Sequence, residues 1–249
     1  MSFLERLAVL AASGERGVLF SVVEGEGAGT NMLVLEGGET IGEGPAAAIR
    51  QAGDLMHEGR NRLLTLDDGR RVFAEVYGPP PRLLAYGAVD TAEALCVGAK
   101  LLGWRAIVAD ARAAFATRER IPSADELIVA WPNEAFAQVV PDHETAIVVL
   151  THDDKFDVPA LAAALAGPAF YIGALGSRRN QERRRDRLLE AGVSQTDLDR
   201  VMGPCGLDIG AETQQATALS ILAEIQAVRS GRTGGFLKHA TQRIHVEAD

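Results

Sequence analysis

Beyond residue 81, short apolar runs alternate with helical stretches. The runs fall at 82–86, 106–109, 126–129, 146–150 and 169–172, and the helical stretches at 91–102, 133–139, 158–165, 178–191 and 212–229. Repeated strand–helix units of this kind imply an α/β fold, a doubly wound parallel sheet joined by right-handed crossovers. Several runs end in glycines and polar groups, most densely between Leu150 and Gly210. In a parallel sheet such residues gather at one edge, where ligands bind.

Gly78-Pro79-Pro80-Pro81 marks the boundary before this region. A proline run is stiff, extended and unable to continue a helix or a central strand. Residues 1–78 read as a small α+β domain: a helix at 3–12, strands at 17–23 and 32–35, and a helix at 45–56 with Pro45 suited to its first turn. A hairpin joins 63–66 to 70–76 about Asp67-Asp68-Gly69. Residues 82–230 form the α/β domain, and 231–249 a polar tail.

Composition narrows the function classes. A net charge of −9 argues against a general nucleic-acid surface, which needs concentrated positive charge. No apolar run approaches the ~18–20 residues needed to cross a bilayer. The start, Met1 to Arg6, lacks a basic segment ahead of a long apolar one. No signal peptide is read, and the cytoplasm is the expected location. Cys96 and Cys205 form no metal-ligand spacing and no disulfide framework, so no metal site is expected.

The first β-to-α turn reads Gly87-Ala88-Val89-Asp90-Thr91-Ala92. A dinucleotide fingerprint places glycine at the first and third of these positions and glycine or alanine at the sixth. Gly87 and Ala92 fit. Val89 stands where the backbone would approach a pyrophosphate, and Asp90 is expected to cap the helix with its own carboxylate and repel an anion. Asp110 lies where an acidic residue would hold a ribose hydroxyl. The NAD(P) reading is thereby weakened, and a turn kept for packing is favoured.

Three further blocks carry polar chemistry. His152 follows an apolar run, with Asp153, Asp154 and Asp157 close behind. On spacing alone this is a capped helix start with a locally satisfied histidine. Gly173-Ala174-Leu175-Gly176-Ser177-Arg178-Arg179 is suited to an anion. Gly176 permits close backbone approach, Ser177 is a natural N-cap, and the helix N-terminus and two guanidiniums add positive potential. Arg183, Arg184, Arg185 and Arg187 extend the patch and are expected to pair with acids of their own helix. Pro204-Cys205-Gly206-Leu207-Asp208-Ile209-Gly210 reads as a loop in which Asp208 either lines a cleft or locks the backbone. Cys205 is expected to be a small buried residue.

Together these blocks resemble the XdhC/CoxI family over about 82–229. His152, Asp153 and Asp157 match its His-Asp-x-x-x-Asp block, and Gly206 to Gly210 match its Gly-Leu-x-Ile-Gly pattern. The chain departs from the family at Val89 and Asp90, where glycine and histidine are usual. At Gly44-Pro45-Ala46-Ala47 a cysteine is usual. The resemblance implies a non-catalytic, homodimeric accessory protein. Its role is to bind molybdenum cofactor and assist its insertion into an apo-molybdenum hydroxylase of the xanthine or CO dehydrogenase type. The pterin phosphate would rest on Gly176-Ser177-Arg178-Arg179, with His152, Asp157 and Asp208 lining the cleft and Asp110 reaching any ribose. Gly87, Asp153, Gly173, Gly206 and Gly210 complete the expected site. Two alternatives stand beside it: an NAD(P)-linked oxidoreductase, and a degenerate paralogue acting as a protein-interaction scaffold.

Overall fold

The computed structural model describes residues 3–241. Of the expected polar tail, 242–249 lie outside the described residues. The chain divides into two units. One runs to Pro80 and takes in the segment from Phe236 onward; the other spans Pro81–Gly235.

The first unit contains α1 (Phe3–Ser13), β1 (Gly17–Glu24), β2 (Asn31–Leu35), β3 (Thr40–Gly42), α2 (Ala46–Glu58), β4 (Arg62–Thr65) and β5 (Arg71–Tyr77). Its strands pair antiparallel in the order β3-β2-β1-β5-β4. Side chains alternate across a strand, so Val18, Phe20 and Val22 meet Ala48, Ala52 and Leu55 of α2. Leu19, Leu33 and Leu35 meet Leu10 of α1. Pro45 precedes α2 as its N-cap rather than opening it. Strand β3 is unexpected because its stretch is glycine-rich and has no period. Pairing with β2 makes it a strand, and only glycine suits position 42, where φ is +91° and a Cβ would run into the Asn31 carbonyl oxygen.

The second unit contains β6 (Arg82–Tyr86), α3 (Asp90–Leu101), β7 (Arg105–Asp110), β8 (Glu126–Val129), α4 (Pro132–Val139), β9 (Thr145–Val149), α5 (Asp154–Leu165), β10 (Tyr171–Ala174), α6 (Arg178–Glu190), α7 (Gln195–Leu198), β11 (Val201–Met202) and α8 (Gln214–Ser230). All neighbouring strands are parallel, in the order β11-β10-β9-β6-β7-β8. This is the expected α/β, Rossmann-like sheet. Every residue of β9 is buried, as a strand covered on both faces requires. Leu83 and Ala85 pack toward α3 and α8. Leu84 and Tyr86 pack toward α4, α5 and α6.

Two departures bear on the site. Helix α5 begins at Asp154, not near 158, because Asp153 caps it by accepting a hydrogen bond from the Lys155 amide at 3.1 Å. Pro159 lies inside the helix, so this helix does not avoid its proline. The short α7 and two-residue β11 were not expected. Two residues carry no readable period, and β11 exists only through pairing with β10.

Ile147 is fully buried between Leu84 and Ile172 on the neighbouring strands. Ile147→Ala is expected to lower the unfolding free energy by about 2–5 kcal/mol, read from urea titration of tryptophan fluorescence.

Candidate functional site

Because the sheet is parallel, the segments leaving β6, β9, β10 and β11 all emerge at one edge. β6 and β9 are neighbours but not consecutive, so helices leave to opposite faces and a crevice opens between them. The crevice has a volume of about 380 Å³. Val89, Asp90 and Thr91 line it from the first turn, Leu150 and His152 from the end of β9, and Leu175 from the end of β10. Arg120, Gln214 and Thr217 complete it.

Gly87 has φ +115°, and a Cβ there would strike Thr151 at 2.9 Å. The glycine therefore serves the close approach of this turn to β9. Val89 is the N-cap residue of α3 and gives no side-chain hydrogen bond to it. Asp90 does not cap the helix as expected. Its side chain is 81% exposed and forms an ion pair with Arg120 at 3.3 Å. Thr91 is buried and donates to the Gln214 amide oxygen, joining α3 to α8.

Asp110 ends β7 and is only 1% exposed. Its Oδ2 accepts from the Ala88 amide at 2.9 Å and from an Arg112 Nη at 2.8 Å. Its Oδ1 accepts from the Arg112 amide and from Arg112 Nε, both at 2.9 Å. Burial alone raises the carboxyl pKa, but the Arg112 and backbone hydrogen bonds outweigh it and hold Asp110 below the usual carboxylate range. Arg112 lies over the Phe115 ring at 4.0 Å. The Asp-x-Arg spacing is a readable signal for this pair, which the dinucleotide pattern, concerned with the aspartate alone, passes over.

His152 is exposed beside the crevice. Asp153 caps α5. Asp157 lies inside, 1% exposed, one turn into the helix. Its Oδ1 accepts from the Thr151 hydroxyl. Its Oδ2 accepts from Arg184 Nε at 3.2 Å and from an Arg184 Nη. Arg184 is itself 3% exposed and also donates to the Leu175 carbonyl at 3.2 Å.

Arg184 thus departs from the solvated patch expected of it. Its neighbours also pair away from their own helix. Arg183 and Arg187 reach Asp154, at 3.3 and 2.9 Å, and Arg185 reaches Asp199 at 3.3 Å. Arg183 and Arg187 meet the start of α5 and Arg185 the end of α7, so their acids come from other elements.

Gly173 lies within β10, where a Cβ would meet the Tyr171 ring at 2.7 Å. Gly176 has φ +139°, which favours glycine. Ser177 caps α6, accepting from the Asn180 amide at 3.3 Å. Arg178 and Arg179 are exposed, and among the described residues neither makes an ion pair or hydrogen bond. The motif therefore presents two uncommitted cations at a capped helix N-terminus. Arg178 also borders a second cavity of about 320 Å³, with Gln181, Gly203 and Pro204.

The loop after β11 is held from α8. Glu224 accepts from the Tyr171 hydroxyl and, at 2.9 Å, from the Gly206 amide. Ser220 donates to the Leu207 carbonyl at 2.6 Å. Gly206 has φ +108°, and a Cβ there would collide with the Ser220 hydroxyl. Asp208 and Gly210 are exposed, and among the described residues no hydrogen bond or ion pair engages the Asp208 carboxylate. The loop lock is Glu224, 18 residues beyond Gly206 on α8. Cys205 is buried as expected, and burial pushes its thiol up to about 12. Cys96 is likewise buried and pushed up to about 12. Both are thiols, not thiolates, at neutral pH. Among the described residues no three His, Cys, Asp or Glu side chains group to hold a metal ion. No helix among them is long and apolar enough to cross a membrane.

The crevice thus gathers Val89, Asp90 and His152, and its Leu175 wall leads into Gly176. Asp110 and Asp157 are turned inward on protein partners. Residues 83–225 match the XdhC Rossmann domain. The chain belongs to the XdhC family. It is 35% identical over 134 residues to the molybdenum cofactor insertion chaperone PaoD of Escherichia coli, covering 54% of this chain and 41% of that protein. It is 32% identical over 187 residues to a probable xanthine dehydrogenase subunit of Bacillus subtilis, covering 75% and 53%. The uncharacterized protein YqeB of E. coli is 34% identical over 166 residues, covering 67% and 30%. This XdhC-family chain therefore spans between about a third and about half of these relatives. A crystal structure of a xanthine dehydrogenase from Bacillus halodurans shares the fold, with a TM-score of 0.70 at 23% identity over 92% of this chain and 66% of that one.

Two predictions test the inward-facing acids. The Asp110 carboxyl is held below its unfolded value of about 3.9, so its contribution is present above that value and lost as pH falls through the lower folded one. Asp110→Asn is expected to cost about 1–3 kcal/mol at pH 7, with the gap to the parent closing below about pH 4 in urea titrations. Asp157→Ala strands Arg184 without its charge partner. It is expected to cost about 3–5 kcal/mol, against less than about 0.5 kcal/mol for exposed His152→Ala, both read from thermal unfolding.

Proposed function

We propose that this protein binds molybdenum cofactor and assists its insertion into an apo-molybdenum hydroxylase of the xanthine or CO dehydrogenase type, acting in the cytoplasm as a homodimer. The observation that carries this reading is the pair Arg178 and Arg179, uncommitted beside the Ser177-capped start of α6. An acidic chain in which two guanidiniums at a helix N-terminus have no partner among the described residues offers a phosphate both charge-assisted donors and favourable potential. The similarity to PaoD, a molybdenum cofactor insertion chaperone, supports the choice of cargo.

The donors suit the phosphate end of that cargo and not its metal. Both cysteines are buried thiols, and the described residues offer no metal-ligand group. The cargo is held through its pterin phosphate, with the heterocycle against Leu150 and Leu175 and within reach of His152, Gln214 and Thr217. Contacts of this kind form and break without covalent chemistry, as a protein that must release its cargo to a client requires. Asp157 and Arg184 act behind the site by fixing the two turns that carry His152 and Ser177. Asp208, exposed and uncommitted, is available to the cargo or the client.

The test is native mass spectrometry of the full chain mixed anaerobically with freshly released molybdenum cofactor. Arg178→Ala/Arg179→Ala is expected to weaken binding at least tenfold, since each lost charge-assisted hydrogen bond is worth about 1.5–3 kcal/mol. Its circular dichroism should match the parent, because neither arginine supports the fold. Undiminished binding by the folded variant would remove the assigned anion site, and a parent that binds no cofactor would remove the cargo reading.

A further inference from the structure

A nucleoside diphosphate seated at a switch-point crevice needs three things. It needs a turn whose middle residue lets the backbone approach the pyrophosphate. It needs helix N-terminal potential not opposed by a nearby anion, and a carboxylate free to accept the ribose hydroxyls. All three positions are visible here, and each is closed in its own way.

At the turn, Val89 has φ −104° and ψ 170°, an extended conformation that asks for no glycine. Its side chain packs partly on the core and also lines the crevice. At the first position of α3, the Asp90 carboxylate projects into solvent at the mouth of the same crevice, with Arg120 already engaged on it. At the end of β7, Asp110 accepts four hydrogen bonds from Ala88 and Arg112. A carboxylate has about four lone-pair sites, so no capacity is left for a ribose diol.

At this edge of the sheet, the cations left uncommitted among the described residues lie elsewhere. Arg178 and Arg179 follow β10, two strands from β6 in the sheet order. With neighbouring strands about 4.8 Å apart, the phosphate anchor is displaced by roughly 10 Å from the position a dinucleotide would use. Leu175, on the crevice wall, stands three residues before Arg178, a chain span of at most about 11 Å, which a phosphate carried on the heterocycle itself can cover. A nucleoside attached through a second phosphate finds no acceptor for its ribose and an anion at its pyrophosphate.

We propose that this crevice selects cargo that carries its phosphate without a nucleoside, with Val89, Asp90 and the Asp110–Arg112 pair as the selecting groups. The inference rests on the cargo reading above and names the form of the cofactor that this chain accepts: the pterin monophosphate and not its dinucleotide.

The experiment compares three ligands on the full chain: the pterin monophosphate form of the cofactor, its cytosine dinucleotide form, and CDP alone. Cofactor binding is read by anaerobic native mass spectrometry and CDP binding by calorimetry. The parent is expected to bind the monophosphate form at least tenfold tighter than the dinucleotide and to show no measurable CDP binding. Val89→Gly/Asp90→Asn is expected to raise the dinucleotide-to-monophosphate affinity ratio at least tenfold and to gain CDP binding. Asp90→Asn alone, at an exposed position that the fold does not depend on, should raise the ratio about threefold and serves if the double variant does not fold. Equal binding of both forms by the parent, or no change of ratio in a folded variant, would overturn the selectivity and leave the cargo reading standing. Failure of the parent to bind either form would overturn both.

Discussion

The buried ion pair between Asp157 and Arg184 is the contact on which the site end of the α/β unit depends. It joins α5 to α6, and further hydrogen bonds tie it to the segments that follow two strands. The Thr151 hydroxyl donates to Asp157 just beyond β9, and Arg184 donates to the Leu175 carbonyl just beyond β10. The two turns carrying His152 and Ser177 are thereby set against each other. A buried pair of this kind is weak evidence for net stability, because desolvation offsets much of the attraction. Its consequence is geometric: neither partner can leave without exposing the other to an apolar surrounding in which it has no match.

Charge is divided along the edge that these turns form. Near β6 the acids Asp90 and Asp110 are matched by Arg120 and Arg112, so the first turn presents no uncommitted cation among the described residues. Near β10 the arrangement is reversed, with Arg178 and Arg179 unmatched among the described residues. Both regions lie at helix N-termini, where the peptide dipoles favour an anion. At α3 the Asp90 side chain opposes that preference, and at α6 the arginines add to it. An anion arriving at this edge is directed to α6.

The loop after β11 shows the same separation of support from exposure. Glu224 and Ser220, both on α8, hold its backbone through Gly206 and Leu207. Asp208 can then remain exposed and uncommitted although the loop is fixed. Glycine is needed at 206 because α8 passes too close for any side chain.

Much of the fold was legible in the residues. Apolar runs, a proline boundary and capping residues are local, and they located nearly every long element and Ser177 as the N-cap of α6. The anion-suited turn from Gly173 to Arg179 was legible for the same reason. What escaped was pairing. Arg184 looked like one more surface arginine in a basic run, and Asp110 like a free ribose acceptor. Arg184 meets an aspartate 27 residues away, and the Asp110 oxygens are filled partly from the Ala88 amide 22 residues before it. The two-residue β11 escaped because it depends on a neighbouring strand, and the first turn of α5 escaped the apolar pattern although its aspartate cap was legible. By itself the sequence determined the order of the longer strands and helices and the turns that can face a ligand, since those follow from periodicity and backbone preference within a few residues. Only the tertiary structure decided which charges are buried against one another and which remain uncommitted, since that depends on distances between segments far apart in the chain.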